Sequence, residues 1–184
     1  MKIVVFSDTH GNISKAHTIV SKMEKVDLLV HLGDVVADAQ RLEKLTGVPC
    51  VWVKGNMDGA MKSEASRYIL DTEYGKIWLT HGHCDGAGLG DYDRMAKKCR
   101  QLGCKAVFFG HTHVAFMDEI DGVRLMNPGS IARPRDGSSG TYGIVHIQKD
   151  RLDCSIMYLS SEGPKQKSSK GGFIRSLLNY SDRF

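Results

Sequence analysis

The sequence predicts an α/β fold whose working groups collect along one edge of a sheet. Three observations lead there. Short apolar runs of strand character alternate with segments of helical spacing in the first hundred residues, the pattern that builds strand–helix–strand units. The runs end abruptly on polar groups competent to bind metal. Those endings recur at intervals of about one strand–helix–strand unit, the distance at which a chain returns to the same sheet edge.

The first run, Lys2–Phe6, ends at Ser7-Asp8-Thr9-His10. If the chain stays extended for one more step, Asp8 and His10 point the same way, because side chains alternate along a strand. From about Asn12 to Lys25, Ile13, Ala16, Ile19, Val20 and Met23 fall at helical spacing, with Asn12 or Ser14 available as N-cap. His17 reads as an ordinary residue of this helix. A second strand, Asp27–Leu32, stops at Gly33-Asp34, and His31 within it reads as a packed core residue. A short helix over Asp38–Leu45 leads to a third strand, Pro49–Val53, which ends at Lys54-Gly55-Asn56-Met57-Asp58.

Arg67–Leu70 and Ile77–Thr80 read as a hairpin through Tyr74-Gly75, ending at His81-Gly82-His83. The segment Gly86-Ala-Gly-Leu-Gly90 fits neither the dinucleotide nor the P-loop spacing and reads as a flexible loop before a helix over Asp91–Leu102. Strand Ala106–Phe109 ends at Gly110-His111-Thr112-His113. Four further strands, Val114–Ile120, Val123–Asn127, Gly140–Gln148 and Leu152–Leu159, give the second half an antiparallel look, with Asp121-Gly122 and Lys149-Asp150 as turns. Asn127-Pro128-Gly129-Ser130 is composed for a tight turn.

Composition narrows the class. At 184 residues the chain is long enough for one well-buried domain. The net charge is +4, and the stretch from Glu162 onward carries three of those positive charges, so the body of the fold is nearly neutral. That argues against binding a long nucleic acid. Five scattered cysteines without a C-x-x-C pair suggest reduced thiols, and the first apolar run is too short for a signal peptide or a membrane span. The expectation is a cytoplasmic protein without membrane contact, with residues 1–159 as the domain and 160–184 as a polar, basic tail of unassigned role.

The strand-end groups are Asp8, His10, Asp34, Asn56, His81, His111 and His113. From Asp8 the successive gaps to Asp34, Asn56, His81 and His111 are 26, 22, 25 and 30 residues. Imidazole mixed with carboxylate and amide oxygen suits Mn, Fe, Ni or Zn better than the all-oxygen shells of Mg or Ca. A bridging carboxylate would let seven ligands serve two ions. Two ions about 3.5–4 Å apart bind phosphoryl oxygens and lower the pKa of a bridging water to near 7, which is chemistry for hydrolysing phosphate esters.

At these residues the chain resembles the calcineurin-like metallophosphoesterases, and within them the small stand-alone phosphodiesterases of bacteria and archaea. The resemblance rests on Asp8-x-His10, Gly33-Asp34, Gly55-Asn56-x-Asp58, His81-Gly82-His83 and Gly110-His111-Thr112-His113, and it spans roughly Met1 to Leu159. It implies a two-sheet β-sandwich flanked by helices, with Asp8, His10 and His113 holding one metal. Asn56, His81 and His111 would hold a second, and Asp34 would bridge them as a catalytic ligand. Manganese is the first expectation for the ions, with nickel, iron, zinc or magnesium as alternatives.

The implied substrate is a small phosphate ester, hydrolysed by a metal-bridging hydroxide, and the implied assembly is a homo-oligomer. Many family members carry His where this chain has Met57, and a thioether cannot donate a proton to a leaving group. His83 is the nearest replacement in sequence, and the substitution leans the expected activity toward diesters or activated esters. Asn12, Cys84, Arg133 and Arg135 are candidates to line the pocket, and Asp58 is a candidate turn carboxylate. The alternative reading is a non-catalytic scaffold of the same fold, like a retromer subunit, which works through protein partners. The retained set of ligands favours the enzyme.

Overall fold

A computed structural model describes residues 1–59 and 66–159 of the chain. The expected tail lies outside the described residues. The strands are β1 (Lys2–Phe6), β2 (Leu28–His31), β3 (Cys50–Trp52), β4 (Arg67–Thr72), β5 (Gly75–Thr80), β6 (Ala106–Phe108), β7 (Ala115–Ile120), β8 (Val123–Pro128), β9 (Thr141–Gln148) and β10 (Arg151–Tyr158). The helices are α1 (Ser14–Ser21), α2 (Val36–Thr46) and α3 (Tyr92–Gln101).

Two five-stranded sheets form, in the orders β10-β9-β1-β2-β3 and β4-β5-β6-β8-β7. In the first, β1, β2 and β3 run parallel, and β9 joins β1 antiparallel with Ile3 opposite Val145. The strand–helix–strand reading of the N-terminal half therefore holds. The antiparallel reading of the second half holds for β7–β8, β9–β10 and β9–β1 and fails at β8, which pairs parallel with β6. The β7–β8 hairpin carries the chain out to the sheet edge, so that β8 returns beside β6 in the direction of β6.

Packing makes four layers. Ile3, Val5 and Val30 of the first sheet meet Ile77, Leu79, Phe108 and Met126 of the second in one buried cluster. On the outer side of the first sheet, Val4, Phe6 and Leu29 pack against Ala16, Val20 and Leu42 of α1 and α2. On the outer side of the second, Trp78, Val107 and Leu125 pack against Met95, Ala96 and Cys99 of α3. Both sheets are thus apolar on both faces where helices cover them, which is why β1 and β2 read as continuous rather than alternating runs. Each large side chain so buried contributes roughly 1.5–3 kcal/mol from removal of apolar surface.

Helix ends depart from the local sequence signals. α1 starts at Ser14 with Ile13 at its N-cap and no side-chain cap, while the Ser14 hydroxyl donates to Asn12 Oδ1. α2 begins two residues before the expected Asp38. The Asp58 carboxylate accepts the N–H groups of Val35 and Val36 at 3.0 and 2.7 Å and so supplies a cap from the loop after β3. The glycine-rich segment forms one short turn, Ala87–Leu89, between Gly86 and Gly90, both with positive φ.

Candidate metal centre

All five strand-end motifs reach one edge of the sandwich, the edge to which β1, β2, β3, β5 and β6 deliver the chain. Asp8 and His10 do converge, but by a route other than an extended step. Both residues take left-handed backbone angles, φ 54° and 45°, as do Asp34 (56°), His111 (70°) and His113 (60°). Such angles are uncommon for residues other than glycine and concentrate at functional sites. Neighbours hold the turns in place. Ser7 Oγ and the His111 N–H both donate to Asp8 Oδ2, at 2.5 and 3.1 Å. Ser130 Oγ donates to the Asp8 carbonyl at 2.8 Å. Gly110 is required there, since a Cβ on it would stand 2.0 Å from Ser7 Oγ.

Ligand atoms of Asp8, His10, Asp34 and His113 all lie within 4.8 Å of one another. His113 Nδ1–H donates to the Arg133 carbonyl at 2.7 Å, which leaves the lone pair of the neutral ring on Nε2. That nitrogen stands 3.2 Å from Asp8 Oδ1 and 3.2 Å from His10 Nε2. Asp8 Oδ1 is fully buried and has no hydrogen-bond donor while the His113 ring is neutral.

A parallel arrangement stands beside it. His81 Nδ1–H donates to the Leu32 carbonyl at 2.7 Å, so Nε2 again presents its lone pair, 3.1 Å from Asn56 Oδ1 and 3.4 Å from Asp34 Oδ1. His111 Nδ1 approaches the same Asn56 oxygen at 3.1 Å. Asp34 lies between the groups, with Oδ2 3.9 Å from His10 Nε2 and Oδ1 toward His81. Gly55 leaves the room Asp34 needs, because a Cβ there would stand 2.2 Å from Asp34 Oδ1.

Lone pairs that face lone pairs in a buried place need a cation between them. A proton can serve one such pair, and the Asp8 bond raises the pKa of His113 accordingly. Around the remainder the field favours ligating forms. Burial lowers His10 against the pull of Asp34 and Asp8, and burial together with the neighbouring His81 lowers His111. Burial works to raise Asp8, but the His113 bond and the His81 field outweigh it and hold the carboxyl low. Neutral imidazoles and an ionised carboxylate are the forms in which these groups bind metal. With two rings fixed by backbone carbonyls in the manner of ligating histidines, the residues fit divalent cations.

Several supporting residues carry no local sequence signal. Asp38 Oδ2 accepts from Thr9 Oγ1 and the Gly11 N–H at 2.6 and 2.7 Å, tying α2 to the first ligand turn. Asp85 accepts from Arg67, Lys98 and Thr80 and so anchors the turn that carries His81 and His83. Asn127 Nδ2 donates to the Gly110 carbonyl and to Thr112 Oγ1, while its Oδ1 accepts the Gly129 N–H. The expected tight turn at 127–130 therefore buttresses the His111–His113 loop. Apart from the local Thr80–Asp85 and Asn127–Gly129 contacts, these partners come from other elements, which only the folded chain brings near.

His83 packs beside His81 and His111, ring centroids 5.4 and 6.1 Å apart, and its buried Nδ1 has no partner. Burial and the His81 ring lower its pKa. Met57 is 65% exposed, and its N–H donates to Asp34 Oδ1. The backbones of Arg133 and Arg135 hold the His113 loop, and their exposed guanidinium groups form no ion pair among the described residues. Cys84 is an exposed free thiol, and Asn12 lines a groove between α1 and α2 rather than the ligand cluster.

The fold and these residues define a protein of the metallophosphoesterase type, a two-sheet sandwich with metal-competent side chains at its strand ends. The chain belongs to the calcineurin-like phosphoesterase superfamily, whose domain model matches residues 1–150. It is 34% identical over 158 residues to YsnB of Bacillus subtilis, named as a probable metallophosphoesterase, covering 82% of this chain and 86% of that one. A solved archaeal phosphodiesterase is similar at TM-score 0.65 and 26% identity, covering 85% of this chain and 100% of that one. Vps29 from Entamoeba histolytica, solved with Zn2+, shares the fold at TM-score 0.67 and 20% identity, with 87% and 100% covered. No helix among the described residues is long and apolar enough to cross a membrane.

Proposed function

We propose that this protein is a phosphodiesterase that uses two divalent metal ions, manganese foremost, to hydrolyse small or nucleotide-like phosphate esters. The observation that carries the reading is Asp34, whose two carboxylate oxygens face two separate groups of ligand atoms. Asp8, His10 and His113 would hold one ion, Asn56, His81 and His111 the other, with Asp34 shared. Two ions so held supply Lewis acidity toward phosphoryl oxygens and acidify water.

The chain's own residues do the rest. The exposed guanidinium groups of Arg133 and Arg135 offer charge to a phosphate. His83, half-buried beside the His81 and His111 rings, is the residue we assign to carry a proton to a departing oxygen. Met57 contributes no proton, which favours diesters whose leaving group needs little help. The scaffold reading draws on the Vps29 fold likeness alone, whereas all seven ligand positions here keep competent side chains.

The test is hydrolysis of a chromogenic diester beside the matching monoester. Metal-stripped protein would receive Mn, Ni, Zn or Mg, with bound metal counted in parallel. Diester turnover that rises with occupancy to about two ions per chain is expected. Two bound ions with no turnover of either ester would overturn the enzyme reading in favour of the scaffold.

A further inference from the structure

A groove of about 600 Å³ runs between α1 and α2, lined by Gly11, Asn12, Ile13, His17, Arg41, Lys44 and their neighbours. Its size is that of a small-molecule site, typically about 300–1,000 Å³. One end of it is lined by Gly11, the residue after His10 in the chain.

The lining is one-sided in charge. Arg41 and Lys44 stand on α2, facing His17 on α1, and no acidic side chain lines the groove. Neither Arg41 nor Lys44 makes a hydrogen bond or ion pair with a described residue. Two carboxylates of α2 lie near in sequence and both are engaged elsewhere: Asp38, at 1% exposure, accepts from Thr9 Oγ1 and the Gly11 N–H, and Glu43 accepts the Cys50 N–H. Ile13 and Leu45, the latter 57% exposed, add apolar surface to the same lining. A guanidinium and an ammonium over an apolar strip match an anionic group attached to a flat or aliphatic body. Surface charges without partners are common, but two cations beside a histidine in one groove, with no carboxylate in its lining and one end at the residue after His10, select a ligand class.

We propose that the α1/α2 groove is a subsite for a second phosphate of the substrate, held by Arg41 and Lys44 with His17 alongside. The body between the two phosphates lies on Ile13 and Leu45. The substrate class is then a phosphodiester bearing a further phosphate on one arm, of nucleotide size. The inference rests on the phosphodiesterase reading, and it goes beyond that reading by stating what lies past the scissile ester. The volume suits one small molecule rather than a polymer, in keeping with the near-neutral body of the fold.

The test uses adenosine 3′,5′-bisphosphate as probe and the double variant Arg41→Gln, Lys44→Gln. Both side chains are exposed, so the variant folds as the parent does. In an NMR titration of the metal-free full chain, the bisphosphate is expected to shift the amide signals of Gly11, Asn12 and Ser14 saturably. The double variant should bind at least about tenfold more weakly, while metal-loaded hydrolysis of bis(p-nitrophenyl) phosphate, which has no second phosphate, stays within twofold of the parent. Unmoved groove signals, or equal affinity in the variant, would overturn the subsite. Absence of diester hydrolysis in both proteins would strike the catalytic reading alone, because the titration still decides the groove.

Discussion

Acidification should destabilise this protein, and His31 should carry a measurable share of the loss. Its ring is buried at 1% exposure, and its hydrogen bonds admit only the neutral form. Thr9 gives its single hydroxyl proton to Asp38 Oδ2, so at 3.0 Å it can only accept from His31 Nε2–H. His31 Nδ1 in turn accepts the Gly33 N–H at 3.3 Å. A second proton would face that donor, and burial pushes the pKa from 6.5 to about 4 despite the pull of Asp8, Asp38 and Asp58.

The sign follows from the proton count. Between pH 6.5 and 4 the unfolded chain binds a proton at this residue that the folded chain refuses. The stabilisation is therefore complete above pH 6.5 and lost as pH falls through that window. At 1.36 kcal/mol per pKa unit the loss reaches about 2 kcal/mol by pH 5 and about 3 kcal/mol by pH 4.

Urea unfolding of chelator-treated protein at a series of pH values would measure it, beside His31→Gln. Glutamine can donate to Thr9 and accept from Gly33 without titrating. His10, His83 and His111 are also lowered and His113 raised, so the quantity that counts is the difference between the two proteins. Equal slopes for the parent and His31→Gln between pH 7 and pH 5 would refute the reasoning.

Other outcomes follow from the same geometry. Asp34→Asn should lower bound metal and diester turnover together by more than about tenfold, since even a partner behind a ligand is worth about 10–100-fold; full activity in a metal-counted sample would remove Asp34 from its bridging place. Gly110→Ala puts a Cβ 2.0 Å from Ser7 Oγ and should cost about 1–3 kcal/mol, read as a lower thermal midpoint of the metal-free chain. Asp85→Asn leaves the Arg67 and Lys98 cations facing a neutral amide and should reduce turnover by loosening the His81–His83 turn, with an unchanged kcat the contrary result. Met57→His should raise monoester hydrolysis by about 10²-fold or more if proton donation is what the chain lacks; an unchanged rate would mean another group already supplies the proton.

The sequence made the strands and the converging metal-competent side chains legible because both depend on local signals. Apolar runs such as Ile3–Phe6 stop at polar groups, and the interval between stops reports the strand–helix–strand unit. The conformation at the stops was not legible. Asp8 and His10 meet through left-handed turns, which nothing in Ser-Asp-Thr-His announces and which Gly110, Ser130 and the His111 N–H impose from more than a hundred residues away. The start of α2 was misplaced for the same reason, since its cap is Asp58. β8 read as antiparallel because a hairpin signal reports the pairing within the hairpin and not the neighbour on its other side.

The strand order also bears on when the site can exist during synthesis. β1 is the first strand made, yet one of its two neighbours is β9, and Met1 is bound to the Ile147 carbonyl across 146 residues. The Asp8 carbonyl waits for Ser130 in the same way, across 122 residues. A growing chain on the ribosome therefore carries Asp8 and His10 through most of its translation without the partners that bend them into place. Contacts of such long separation form late and slowly. The metal-competent groups come together only when nearly the whole domain has emerged, so a prematurely ended chain would lack not a margin of the fold but its candidate metal site.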